Sequence, residues 1–163
     1  MILETDRLYL RHFVLDDAQR LSEYRDKKEV CKYQTWKKYS VFDAKRRIKY
    51  CMKHPDFSPT IGNHQYAIVL KENDMIIGDL FIETRYMDSF LLGYTLDNDY
   101  WHHGYAFEIV DAFLDYMYDE GFNTCYAYVY RDNIPSIRLL QKLGFELRAM
   151  PQEYRELRYE KEL

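Results

Sequence analysis

The chain is short of the residues that mark several common kinds of protein. Its three cysteines, at positions 31, 51 and 125, are odd in number and lack CxxC spacing. That excludes a disulfide framework or zinc ribbon and fits a reducing compartment, with Cys125 reading as a small strand hydrophobe. Basic residues do not dominate: 23 Lys and Arg face 27 Asp and Glu, a net charge of −4. A nucleic-acid binder usually carries the opposite balance. No apolar run approaches the roughly 18 residues of a membrane span. The opening Met-Ile-Leu-Glu-Thr-Asp-Arg puts acids where a signal peptide has basic and then apolar residues. A cytoplasmic protein with no nucleic-acid or membrane partner is expected. With only six glycines and four prolines, and no repeat or linker, residues 1–163 read as a single domain.

Aromatic residues are abundant, with 17 tyrosines and nine phenylalanines. That excess reads as core packing plus half-buried rings with wet hydroxyls, and is compatible with an aromatic cleft. A basic cluster (Lys37, Lys38, Lys45, Arg46, Arg47, Lys49 and Lys53) reads as a solvated helix face.

Periodicity divides the chain cleanly. Residues 7–14 alternate as a strand, and Asp16 and Asp17 then cap a helix running to about Glu29. Ser40-x-x-Asp43 resembles a capping box for a helix to about Lys53, and Pro55 and Pro59 bracket a loop. Residues 65–71, 75–86 and 90–96 read as consecutive antiparallel strands. From Gly104 a helix carries Ala106, Ile109, Val110, Phe113 and Met117 on one face, with Glu108, Asp111, Asp115 and Asp119 opposite. It ends at Gly121. Residues 124–130 form a strand; Asp132 or Asn133 caps a helix with Pro135 in its first turn; Gly144 stops it. Residues 145–150 and 154–163 close the chain as strands. The order predicts an α/β (α+β) fold: a mixed, mostly antiparallel sheet of six to seven strands with helices on both faces.

The segment from Leu91 to Glu108 carries most of the functional signal. A strand, a short polar turn and a glycine opening a helix aim backbone N–H groups and a positive helix end at one point, which suits a phosphate-bearing ligand.

Four landmarks follow in order. They are Leu3-Glu4-Thr5-Asp6-Arg7-Leu8-Tyr9-Leu10-Arg11, Ile76-Ile77-Gly78-Asp79, and Gly93-Tyr94-x-Leu96 with Tyr100-Trp101-x-x-Gly104-Tyr105-Ala106-x-Glu108. The fourth is Asn133-x-x-Ser136-x-Arg138-Leu139-Leu140-x-Lys142-Leu143-Gly144-Phe145. Together they resemble a GCN5-related N-acetyltransferase (GNAT) of the RimJ/RimL-like branch, over nearly the whole chain. The resemblance implies an acyl-CoA N-acyltransferase fold, acetyl-CoA as donor with no metal, and a primary amine as acceptor. That acceptor is a protein or peptide N-terminus or a small-molecule amine. It leaves a monomer or a homodimer open.

The same resemblance assigns cofactor contacts to Tyr94, Thr95 and Leu96 at the acyl group and to Trp101, His102, His103, Gly104, Tyr105 and Ala106 at the diphosphate. Asn133 either bonds the pantetheine arm or caps its helix. Many family members carry a catalytic tyrosine in the last helix; here that position is Leu140. The branch instead implies Ser136 as proton donor to the leaving thiolate, the alternative being an ordinary first-turn hydroxyl. For the base, it implies a carboxylate after the last helix, Glu153 or Glu156, with Glu83 a further candidate. Glu108 reads as structural or solvent-facing. His102 and His103 lie side by side without a third ligand or an HExxH pattern, so no metal is expected. Tyr33, Trp36 and Tyr39 form either an acceptor wall or a second small core. A non-catalytic acyl-CoA sensor is the alternative function.

Overall fold

A computed structural model describes residues 1–54, 62–86 and 88–163; the loop expected around Pro55 and Pro59 lies outside them. Eight strands form one sheet. They are β1 (Leu3–Glu4), β2 (Leu8–His12), β3 (Gly62–Leu70), β4 (Met75–Tyr86), β5 (Ser89–Leu96), β6 (Thr124–Tyr130), β7 (Glu146–Arg148) and β8 (Glu156–Glu162). Their spatial order is β1-β2-β3-β4-β5-β6-β8-β7. The count exceeds the expected six to seven because residues 3–4 pair back on Tyr9 and Leu10 as a separate strand. Every pairing is antiparallel except β5 with β6.

Five helices cover the sheet: α1 (Ala18–Arg25), α2 (Lys28–Cys31), α3 (Val41–Lys53), α4 (Tyr105–Asp119) and α5 (Ile134–Lys142). Ile109, Val110, Phe113 and Met117 of α4, with Leu140 of α5, join Phe90, Leu92 and Leu96 in the larger core. On the other face, Leu21 and Tyr24 of α1 and Ala44 and Ile48 of α3 bury against Ala67, Val69 and Ile76. The alternating strand pattern thus feeds two cores from one sheet. All three cysteines are free and buried, and burial pushes the Cys125 thiol well up, as befits a strand hydrophobe.

The local signals act as their chemistry requires, with two exceptions. Ser40 and Asp43 form a reciprocal capping box, with Ser40 Oγ accepting from the Asp43 N–H at 3.2 Å and Asp43 Oδ2 from the Ser40 N–H at 2.9 Å. Gly121 and Gly144 sit past their helices at φ 94° and 85°. The exceptions lie at the first helix. Asp17 does not cap it; its carboxylate turns back to the Val14 N–H at 2.8 Å and to the Arg11 guanidinium at 2.7 and 2.9 Å. The expected helix to Glu29 is broken into α1 and α2 at Lys27, whose backbone is extended. Lys27 is drawn out there by Asp97 and Asp99, 2.6 and 2.8 Å from its ammonium.

Candidate active site

The single parallel junction makes the cleft. Strands β5 and β6 pair only at Ser89–Thr124, Phe90–Cys125 and Leu91–Tyr126, then part. The register explains which groups the gap receives. The Asp97 N–H donates to the Ile77 carbonyl at 2.8 Å, which makes Gly78 and Leu96 a non-hydrogen-bonded pair. Counting back, Leu91, Gly93 and Thr95 turn their backbone groups to β4, while Leu92, Tyr94 and Leu96 turn theirs into the gap. The Leu96 carbonyl is taken by the indole N–H of Trp101 at 2.9 Å. Leu92 and Tyr94 keep theirs facing the cleft.

Leu92, Gly93 and Tyr94 line one wall; Ala127, Tyr128, Val129 and Tyr130 of β6, with Glu156 of β8, line the other. Asn133, Ser136 and Leu140 close the cleft on the α5 side, and Tyr33, Gln34 and Thr35 after α2 close it on the opposite side. Its volume is about 160 Å³, room for an acyl group and the end of an acceptor chain.

On the α5 side, the Asn133 side chain caps the helix, accepting the Ser136 N–H at 3.3 Å while still facing the cleft. Both readings of Asn133 are therefore compatible. The Ser136 hydroxyl lies 2.6 Å from the Tyr94 hydroxyl. Burial pushes the Tyr94 phenol up to about 12, with the Ser136 hydrogen bond acting in the opposite sense. The resemblance assigns Tyr94 to the acyl group and gives its hydroxyl no role. The position of Tyr94 on the same face as Phe90 and Leu92, pointing at α5, was the available signal.

At the far end of β5, a 3-10 turn (Asn98–Tyr100) leads through Trp101 to His102 at φ 64° and Gly104 at φ 79°, both left-handed. Gly104 opens α4 without any side-chain cap, so the first N–H groups of that 15-residue helix receive no capping side chain among the described residues. His102 and His103 are exposed, and the His103 ring lies 5.5 Å from that of Tyr105. An uncapped helix start of this kind fits a diphosphate. Thr95 is different: it is buried on the opposite face of β5, 3.4 Å from the Gln34 amide, away from Tyr94.

The candidate bases are not equivalent. Glu156 begins β8 opposite Tyr130, lines the cleft, and has no hydrogen bond or ion pair among the described residues. Glu153 is exposed in the turn before β8, outside the cleft lining. Glu83 pairs with Leu91 on β4, also outside that lining and engaged by other groups. Of the three aromatic rings, only Tyr33 faces the cleft. Trp36 and Tyr39, whose ring centres lie 5.5 Å apart, instead pack against the Arg25 guanidinium at 4.4 and 4.9 Å.

That guanidinium belongs to a buried network with no clear sequence signal. Asp79, 1% exposed, accepts from Arg25 at 2.6 and 3.0 Å, from the Tyr24 hydroxyl at 2.6 Å and from Gln65 at 2.8 Å. Burial works against the Arg25 charge, but Asp79 outweighs it and keeps the group protonated. Burial and then Asp79 hold the Tyr24 phenol well up. Asp97, also 1% exposed, receives Arg20 and Lys27 at 2.6 Å each. Those cations overcome the burial cost and hold its carboxyl below the usual range. These two aspartates dock α1 and the segment after it onto β4 and β5.

A parted parallel strand pair with an uncapped glycine-led helix beside it suits a phosphate-bearing acyl donor, and comparison with known proteins gives the family. The profile of the acetyltransferase (GNAT) domain matches residues 7–146, and the chain belongs to the GNAT family. It is an acetyl-CoA-dependent N-acetyltransferase. It is 30% identical over 155 residues to the uncharacterized N-acetyltransferase p20 of Bacillus licheniformis, covering 93% of this chain and 86% of that one. A GNAT-family acetyltransferase from Bacillus anthracis superposes with a TM-score of 0.84 at 20% identity, over 99% and 98% of the two chains. RimL, a ribosomal L7/L12 alpha-N-protein acetyltransferase solved with coenzyme A, gives 0.84 at 16% identity, over 99% and 97%. Among the described residues, no group of three or more His, Cys, Asp or Glu is arranged to hold a metal. Nor, among the described residues, is any helix long and apolar enough to cross a membrane.

Proposed function

We propose that the protein transfers the acetyl group of acetyl-CoA directly to a primary amine, with Ser136 and Glu156 handling the protons. The observation that carries this reading is the convergence of Tyr94, Ser136 and Glu156 on one cleft where β5 and β6 separate. The diphosphate rests on the turn of Trp101, His102, His103, Gly104, Tyr105 and Ala106, and Asn133 faces the pantetheine arm. An alkyl amine has a pKa near 10, so only about one in a thousand is neutral at pH 7. Glu156 removes the ammonium proton, directly or through water. The neutral nitrogen attacks the thioester carbon, and the Tyr94 N–H supports the developing oxyanion. The C–S bond then breaks; Ser136, hydrogen-bonded to the Tyr94 hydroxyl, donates its proton to the leaving thiolate and is reprotonated, directly or through water, by the second proton that the nitrogen sheds on becoming an amide. Glu153 and Glu83 have weaker claims, being outside the cleft lining. The non-catalytic sensor is disfavoured by membership of an acetyltransferase family.

The finer acceptor class is a peptide or protein N-terminus or a small amine. RimL's stated activity supports the first, and tyrosine-rich walls with one unpaired carboxylate suit either, since both present a cation. A cytoplasmic location fits the three free thiols. The test is release of free thiol from acetyl-CoA across a panel of amines that includes peptides with varied N-termini. Release should depend on the added amine, and Glu156→Gln should lower kcat about a hundredfold at unchanged CoA affinity. Amine-independent release, or a wild-type rate in Glu156→Gln, would sink the assignment of the base.

A further inference from the structure

Over a hundred residues before Glu108, the turn between β1 and β2 reaches across to the start of α4. The Glu108 carboxylate is filled by four donors from that turn. Thr5 Oγ1 and the Arg7 N–H bond Oε1 at 2.6 and 2.9 Å, while Arg7 Nε and Nη2 bond Oε2 at 2.7 and 2.6 Å. Burial alone would raise this carboxyl, but the Thr5 and Arg7 hydrogen bonds outweigh it and hold it below the usual range. The guanidinium is thereby fixed in plane. It stacks 4.5 Å from the centre of the Tyr105 ring, and its remaining arm, Nη1, donates to the His103 carbonyl at 3.0 Å.

That last contact sets the direction of a peptide. His103 precedes Gly104, so fixing the His103 carbonyl towards Arg7 turns the Gly104 N–H the other way, because the two are antiparallel across a planar trans peptide. With the carbonyl oxygen held away, the turn between His102 and Gly104 offers donors to an anion and no competing acceptor dipole. Gly104, which bounds this peptide, sits at φ 79° and has no side chain to restrict it, and His102, one residue before the peptide, sits at φ 64°, so local preference does not hold its orientation.

We infer that Arg7, clamped by Glu108 and Thr5, is a positioning residue for the diphosphate turn: it fixes the His103–Gly104 peptide in its anion-binding orientation. This rests on the proposed acetyl-CoA site, but its consequence is separate. The brace acts only on donors that carry a diphosphate, and leaves the acyl end alone.

The test compares binding of CoA with binding of pantetheine, which lacks the diphosphate, by calorimetry, beside acetyl transfer from acetyl-CoA and S-acetylpantetheine. Arg7→Ala should weaken CoA about tenfold, as expected for one lost charge-assisted contact, and leave pantetheine within about twofold. kcat from S-acetylpantetheine should likewise stay within about twofold. Glu108→Gln should move the two ligands the same way, and Arg7→Lys, which cannot span both partners, should recover little. Equal losses for both ligands, or undiminished CoA binding in Arg7→Ala, would overturn the inference, as would a wild-type protein that binds CoA no better than pantetheine. Should turnover be absent while the CoA-selective loss persists, the catalytic reading falls and the brace stands.

Discussion

The two sides of the cleft, donor and acceptor as proposed above, are built by different means. On the donor side, the ligand-facing groups are backbone: the Leu92 and Tyr94 amides exposed where β5 leaves β6, and the uncapped start of α4 behind Gly104. On the acceptor side they are side chains from segments far apart in sequence: Tyr33, Gln34, Tyr128 and Glu156, with α1 and α2 docked by the buried carboxylates Asp79 and Asp97. A backbone cradle tolerates many side chains, because its chemistry is the peptide's own. A side-chain wall changes with every substitution. One cleft can therefore keep its donor while its acceptor drifts.

The largest test breaks the acceptor side. Asp79→Ala leaves the Arg25 guanidinium buried without its counter-ion and should cost about 3–5 kcal/mol of stability, read as a lowered denaturation midpoint. A loss below about 1 kcal/mol would mean that the network does not dock α1. Next, Gly104→Asp brings a carboxylate into the diphosphate turn, its Cβ 3.5 Å from the Arg7 guanidinium. Asp adopts the left-handed region better than most residues, so the fold should survive while CoA affinity falls about a hundredfold, close to 3 kcal/mol. Unchanged affinity would remove the turn from the donor site. Ser136→Ala should lower kcat about tenfold with CoA affinity preserved; a wild-type rate would retire Ser136 as proton donor.

The smallest effect sharpens the picture of the Tyr94–Ser136 pair through pH. The Tyr94 phenol is raised in the folded state from 10.0 to about 12, so the folded protein prefers it protonated. Its stabilising contribution is complete below pH 10 and is lost as the pH rises towards 12. Tyr94→Phe should flatten the decline in stability across that range, partly, because the buried Tyr24 phenol is displaced in the same direction. An unaltered slope in a pH series of denaturant midpoints would argue against a buried Tyr94 hydroxyl.

The same division decides what the sequence could reveal. The backbone elements proposed to hold the donor were legible because such a device needs a short contiguous spelling: a strand, a turn and a glycine before an amphipathic helix. The acceptor side was not, because Arg25 meets Asp79 across 54 residues and Lys27 meets Asp97 across 70. Asp17 looked like a cap because an aspartate before a helical period usually is one, yet Arg11 and the Val14 N–H claimed it. Trp36 and Tyr39 fitted either an acceptor wall or a second small core, and they pack on Arg25. The closing segment offered two carboxylates three residues apart, and only the start of β8, opposite Tyr130, brings Glu156 to the cleft. Alternation did carry one usable hint. In β6 the small residues Cys125, Ala127 and Val129 take the core face, which leaves Tyr126, Tyr128 and Tyr130 for the other.

The parting of β5 from β6 has a consequence for the protein as a thermal object. Beyond Leu91 and Tyr126 the sheet has two inward edges, so β1 to β5 and β6 to β8 behave as leaves joined along three residue pairs and a shared helical backing. A molecule seated between the leaves touches both. Since it binds only the folded chain, it raises the unfolding temperature with its concentration. The protein's lifetime then follows the supply of the compound it consumes.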